Sequence, residues 1–262
     1  MTIKKIDYKR LYNFSKLYRS RLLRISQNVP ALHVGGSFSC FDILNVIFNV
    51  FYKRGKTNFL LSKGHTAIAQ YIVLNHHKII KNKELELYCK KSGKLGVHPE
   101  ITTKGILAST GSLGHGLSIA AGISLKENKK LTFVIMSDGE LMEGSVWEAV
   151  LMISSLKINN IIVIVDYNGL QSSTFSKDTH KTLFPIDKKF KAFGWDSIKC
   201  NGHDLKSIRS SIQKKKKNKP LAIIAKTVKG YPVSFMMNKP IWHYRSPNST
   251  ELETALKEIN EK

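Results

Sequence analysis

"LTFVIMSDGELMEGSVWEAVLMISSLKINNIIVIVDYNGLQ", residues 131–171, holds two short runs of apolar, β-branched residues separated by about one helix. LTFVIMS (131–137) and NIIVIVDYN (160–168) read as strands buried on both faces, as in a parallel sheet. Between them Val146, Trp147, Val150, Leu151, Ile153 and Leu156 form a broad apolar face, and Gly144-Ser145 offers that helix a start. A strand–helix–strand unit crosses over right-handedly in nearly all proteins, which makes its two strands parallel. PLAIIAKTV (220–228) reads as a third strand of this kind, preceded by the helix candidate DLKSIRSSIQKKKK. Upstream, SCFDILNVIFNVFY and HTAIAQYIVLNHH read as helices, and GSLGHGLSIAAGISLKEN as a glycine-rich turn entering a small-residue helix. The alternation predicts an α/β fold, doubly wound, with a mostly parallel sheet flanked by helices and ligands bound beyond the carboxyl ends of the strands.

At 262 residues, 42% hydrophobic and 9% aromatic, the chain has the composition of one folded domain, expected over 1–262 with residues 1–28 as an N-terminal helical extension. Leu11, Phe14, Leu17, Tyr18, Leu22 and Ile25 give that extension helical spacing. The formal net charge of +23 raises the question of a nucleic-acid or membrane partner. Lysine is scattered along the whole chain, however, and the one dense run, QKKKKNKP (213–220), reads as a solvated helix end, so neither partner is expected. Cys40, Cys89 and Cys200 are widely spaced and show no metal or redox pairing pattern, as for reduced thiols in a cytoplasmic protein. No apolar run is read as reaching the length of a membrane span.

Asp138 closes the first strand of the opening stretch and Asn168 the second. If the strands are neighbours, a carboxylate and an amide oxygen converge, a donor set that suits Mg²⁺ or another divalent cation; otherwise Asp-Gly and Asn-Gly are two unconnected turns. STGSLGHG (109–116) supplies backbone N–H groups and a helix start of the kind that holds phosphates. His33, His65, His98 and His243 each sit beside turn-forming residues or in loops, where side chains that exchange protons are most useful. Their spacing does not match a zinc site.

SDGELMEGSVWEA followed by NNIIVIVDYNGLQ resembles the thiamine-diphosphate fingerprint, with Ser137 where the first glycine is usual. HVGGSFSCFDIL, LSKGHTA, HPE, STGSLGHGLSIAAG, AFGW, GHD and KTVKG follow the order found in transketolases, from about residue 15 to about 250. The resemblance implies that Asp138, Asn168 and the Leu170 carbonyl hold Mg²⁺. It further implies that His65, Gly111, Ser112, Leu113, Gly139, Asn168 and His243 contact thiamine diphosphate. His33, His65, His98 and His243 would serve the sugar and its protons, with Glu143 at the subunit interface linking paired active sites. His115 stands where glutamine is common and Tyr244 where glycine follows the histidine, departures that bear on substrate choice.

The implied activity is transfer of a two-carbon ketol unit from a ketose phosphate to an aldose phosphate. The resemblance also implies a partner, a C-terminal transketolase subunit carrying the pyrimidine-binding domain, two of each chain assembling together. An unusual ketose or a specialised biosynthetic acceptor is the alternative substrate. A decarboxylating 2-oxo acid dehydrogenase component shares the fingerprint, but its substrate gives loop histidines less to do.

Overall fold

The computed structural model describes residues 6–29, 31–172 and 174–261. Its centre is a five-stranded sheet built from β1 (Thr57–Leu61), β2 (Leu131–Ser137), β3 (Ile161–Tyr167), β6 (Asp196–Asn201) and β7 (Leu221–Lys226), in the order β1-β2-β3-β7-β6. Every pairing in it is parallel. A two-stranded hairpin, β4 (Leu170–Gln171) with β5 (Thr174–Phe175), stands beyond the end of β3. The helices are α1 (Tyr8–Ser26), α2 (Val34–Val46), α3 (Ala67–His76), the short α4 (Asn82–Glu86), α5 (Gly116–Lys126) and α6 (Gly144–Ser155). They continue with the short α7 (Ser176–Thr179), α8 (Ile186–Ala192), α9 (Leu205–Gln213) and α10 (Ser249–Glu261).

Alternate residues of the central strands feed two separate cores, the period-2 consequence of the pleat. Phe133, Ile135, Ile162, Ile164 and Ile223 pack with α1, α2, α3, α9 and α10 on one face. Val134, Met136, Val163, Val165 and Ile224 pack with α5, α6 and α8 on the other. The sheet is therefore covered on both sides, as the continuous apolar runs of β2, β3 and β7 require. The expected doubly wound, mostly parallel α/β class is what the chain adopts.

Two elements differ from the sequence reading. The helix placed at SCFDILNVIFNVFY begins earlier, at Val34, and ends in a π turn over Ile47–Phe51. Gly35 and Gly36 belong to this helix and mark no break: a Cβ on Gly35 would lie 2.8 Å from the Trp242 carbonyl oxygen, so glycine permits the close approach of the 240–243 turn. The reading that no apolar run reaches membrane-span length also needs correcting. Val34–Phe51 forms 18 helical residues long and apolar enough for a span, but 83% of them are buried inside the protein, where the sheet and neighbouring helices already cover them.

α1 forms as its periodicity predicts, with Leu11, Tyr18, Leu22 and Leu23 buried and Leu17 left exposed. Asp7 caps it by accepting from the Arg10 N–H at 3.0 Å. On its buried face Arg19 makes a two-pronged ion pair with Asp42 of α2, at 3.0 and 2.6 Å. His203 joins the same carboxylate through Nδ1 at 2.8 Å, and its Nε2 accepts from the Val228 N–H at 2.9 Å. This chain of contacts ties α1 and α2 to the segment that follows β7.

Candidate active site

The register of β2 on β3 sets Ser137 beside Asp166, so the residues just beyond, Asp138 and Asn168, leave the sheet together. Asp138 is fully buried. Its Oδ2 accepts from the Gly169 N–H at 3.1 Å and the Ser176 hydroxyl at 2.7 Å. Its Oδ1 is buried with no hydrogen-bond partner among the described residues. Burial pushes this carboxyl up to about 6. A buried, half-satisfied carboxylate is costly unless a cation completes it. The Asn168 amide oxygen, 3.0 Å from the Leu170 N–H, and the Leu170 carbonyl add hard oxygen donors beside it. This donor set fits Mg²⁺, with the remaining ligands left to phosphate oxygens and water. Among the described residues no three His, Cys, Asp or Glu side chains converge as a competing metal centre.

Above this floor lies a cavity of about 210 Å³. Its wall includes His33, Gly36, Lys63, His65, Gly111, Leu113, Gly139, Asn168, Leu170, Lys229 and His243. Three imidazoles form one cluster: His33 is 5.1 Å from His65 and 5.0 Å from His243, ring centre to ring centre, and His65 is 5.8 Å from His243. Tyr244 packs on His33 at 4.8 Å. Burial, with the positive charges of Lys229 and Lys63 nearby, lowers His33 to about 4 and His243 to about 3. Burial and Lys63 hold His65 well below its ordinary value. All three are neutral at pH 7, able to accept a proton at one nitrogen and donate from the other. Lys229 Nζ sits 2.9 Å from His243 Nδ1. An ammonium donating there leaves the imidazole proton on Nε2.

Of the residues expected from the sequence, His33, His65, Gly111, Leu113, Gly139, Asn168, Leu170 and His243 meet at this cavity, with Asp138 beneath it. Ser112 is exposed beside the cavity lining. His98 is also exposed and lies against the glycine-rich loop, where a Cβ on Gly111 would come within 2.9 Å of its ring. Glu143 lies outside the cavity lining, exposed at the start of α6 and packed on Gly114 of the glycine-rich loop, its carboxylate in no hydrogen bond or ion pair among the described residues.

Sequence reasoning gave no role to four charged residues the fold brings here. Lys63 is buried and pairs with Asp166, which also accepts from the hydroxyls of Ser39 and Thr227. Burial opposes this pair, but each partner's charge outweighs it, holding Lys63 above and Asp166 below its usual value. Lys229 is lowered to about 8 by burial and by Lys63. Glu140, buried and raised by burial, accepts from the Ser62 hydroxyl at 2.5 Å and the Gly114 N–H at 3.0 Å. It thereby pins the glycine-rich loop at Gly114, whose φ of +87° suits only glycine without strain.

A cation-binding floor below neutral imidazoles, at the carboxyl end of a parallel sheet, defines a cofactor-dependent enzyme domain. Residues 25–254 match the family described as "Transketolase, thiamine diphosphate binding domain". The chain belongs to the transketolase family and contributes its thiamine diphosphate-binding domain. It is 35% identical to one subunit of the apulose-4-phosphate transketolase of Actinobacillus succinogenes, covering 98% of both chains. To the 6-deoxy-6-sulfo-D-fructose transketolase subunit SqwG of a Clostridium species it is 29% identical, covering 87% of this chain and 88% of that one. In fold it is similar to the transketolase of Campylobacter jejuni, with a TM-score of 0.89 at 23% identity over 97% of this chain. It spans 43% of that solved chain, and 41% of the similar one from Leishmania mexicana.

Proposed function

We propose that this chain is the N-terminal subunit of a two-chain transketolase, a single diphosphate-binding domain that holds Mg²⁺ and thiamine diphosphate and forms its active site with a second polypeptide. The observation that carries this reading is the neutral His33, His65 and His243 cluster lining one cavity with Asn168 and Leu170, whose intervening Gly169 N–H is held by the half-satisfied Asp138. Asp138, Asn168 and the Leu170 carbonyl would hold the cation, and the backbone of Gly111, Leu113 and Gly139, with Lys229, would meet the diphosphate. Thiamine diphosphate, when bound, supplies the ring that takes up the electron pair of the cleaved carbon–carbon bond. The imidazoles bind ketose hydroxyls and move protons to and from them, and their lowered basicity keeps them neutral, so they do not compete with the cation for negative charge. Lys229 sets the His243 tautomer, leaving Nε2–H as the donor.

A partner is supported from two directions. The relatives from Actinobacillus succinogenes and the Clostridium species are themselves named as subunits, and they match this chain in length. In addition, α5 and α6, packed side by side, expose Ile119, Leu125, Leu151 and Met152, with Leu156 just beyond α6, an apolar face that a partner would cover. Assembly as two of each chain would cover it. A donor outside the common ketose phosphates is favoured by Tyr244, whose ring occupies space beside His33, and by the unusual sugars in the names of the relatives.

The test is to titrate the chain with thiamine diphosphate and Mg²⁺ by calorimetry, then to assay ketol transfer alone and with a copurifying pyrimidine-domain chain. Cofactor binding by the chain and transfer only by the pair are expected. Full transfer by the chain alone overturns the two-chain reading.

A further inference from the structure

Beyond Tyr167, the carboxyl ends of β3, β6 and β7 border a second cavity, larger at about 1020 Å³, whose wall includes none of His33, His65 and His243. Its wall is mainly apolar and aromatic, including Tyr167, Phe184, Ile224 and Tyr231. The Tyr167 and Phe184 rings lie 5.6 Å apart, and Tyr231 stacks on His203 at 3.9 Å, so three rings are already held in place by packing. The ammonium of Lys199 is neutralised by Asp187 at 2.8 Å. Lys177 and Lys226, in the same wall, have no carboxylate within ion-pair distance among the described residues.

Doubly wound sheets bind ligands beyond the carboxyl ends of their strands, and ligand cavities are mostly apolar with a few placed charges. Rings with fixed faces accept a planar ring, and two unneutralised ammonium groups accept an anion. The chemistry these features share is a flat aromatic ring carrying phosphate.

The two cavities are back to back along three stretches of chain. Tyr167 lines the larger one while its neighbour Asn168 lines the smaller. Lys177 faces the larger while Ser176 bonds Asp138. Val228 faces the larger while Lys229 lines the smaller. A ligand that shifts any of these backbone segments changes the position of a residue in the other site, and such coupling is reciprocal.

We propose that this second cavity binds a nucleoside phosphate, its base against the Tyr167 and Phe184 rings and its phosphates on Lys177 and Lys226, and that its occupancy is coupled to the cofactor site. The coupling rests on the reading of the smaller cavity as the thiamine diphosphate site; nucleotide binding does not.

The probe is N-methylanthraniloyl-ADP, followed by fluorescence anisotropy on the full chain, alone and assembled with its copurifying partner. Saturating thiamine diphosphate and Mg²⁺ block the first site. Saturable binding is expected, displaced by ADP but about tenfold less well by inorganic diphosphate, because the latter lacks the ring. Lys177→Glu with Lys226→Glu is expected to weaken it by about tenfold or more, since both residues are exposed and the fold does not depend on them. Asp138→Asn retains saturable probe binding, its affinity changed by no more than the several-fold coupling to the cofactor site. ADP is then expected to shift thiamine diphosphate affinity several-fold in the parent chain and not in the double variant. No saturable binding at about 1 mM probe, equal displacement by diphosphate, or parent affinity in the double variant overturns the nucleotide site. Binding to the free chain that disappears in the assembled pair overturns it too and identifies the cavity as covered by the partner. Probe binding that survives while thiamine diphosphate binding fails sinks the cofactor reading instead.

Discussion

Two buried carboxylates leave the ends of adjacent strands, and they are treated in opposite ways. Asp166, in β3, is complete: Lys63, Ser39 and Thr227 satisfy both its oxygens. Asp138, one residue past β2, has one oxygen satisfied and the other buried without a partner among the described residues. The first fastens the β1 loop and α2 to the sheet; the second keeps lone pairs available to a cation. A buried carboxylate thus reads as structural or functional according to how many of its lone pairs the protein itself fills.

Removing a partner from the complete carboxylate should have the largest effect. Lys63→Met leaves Asp166 buried and uncompensated and is expected to destabilise the chain by about 3–5 kcal/mol in urea unfolding. Asp138→Asn should do the reverse in the cofactor-free chain, stabilising it by about 1–3 kcal/mol at pH 8 through removal of an uncompensated charge. In the same variant, thiamine diphosphate affinity in Mg²⁺ should fall by about a hundredfold or more. If Asp138→Asn destabilises as Lys63→Met does, the contrast between the two carboxylates is wrong.

The pH dependence sharpens the contrast further. Unfolded imidazoles take up protons near pH 6.5, whereas His33 and His243 do so only at about 4 and about 3. The unfolded state therefore binds more protons in this window, and stability falls as pH drops from about 6.5 towards 4. Asp138 acts oppositely. Its carboxyl, raised to about 6, binds a proton more readily when folded, a contribution present below about 4 and lost as pH rises through 6. The stabilisation by Asp138→Asn should accordingly vanish by about pH 4, and that variant's acid decline, followed by urea unfolding across pH, should be steeper than the parent's. The smallest effect is expected from Tyr244→Gly in the assembled enzyme: a several-fold change in kcat/KM between alternative ketose donors, about 1 kcal/mol, with cofactor affinity unchanged.

The central strands were legible because β2, β3 and β7 are buried on both faces and so are apolar throughout. The edge strands were not. β1 is five residues long, and β6 (DSIKCN) is only partly buried, with Lys199 and Asn201 exposed, so its composition resembles a loop. In the site, Asp138 and Asn168 could be found from turn chemistry at strand ends. Lys63 and Lys229 could not, because among 42 Lys and Arg residues one more lysine carries no contrast. Only burial singles them out, and burial of a lysine is decided by residues far away in the chain. The start of the SCFDIL helix was placed too late for a similar reason: the approach that needs glycine at Gly35 comes from Trp242.

The contact between the His33 and Arg245 regions has a consequence for biosynthesis. Ser246 bonds the Val29 carbonyl, 217 residues away, and His33 bridges to Arg245, so the imidazole cluster closes across almost the entire chain. During synthesis, β1, β2, β3 and the floor residues Asp138, Asn168 and Leu170 all precede His243 by more than 70 residues. The cation donors are therefore synthesised well before the set of proton-transfer groups is complete, and the contact that closes that set must wait for nearly the whole chain.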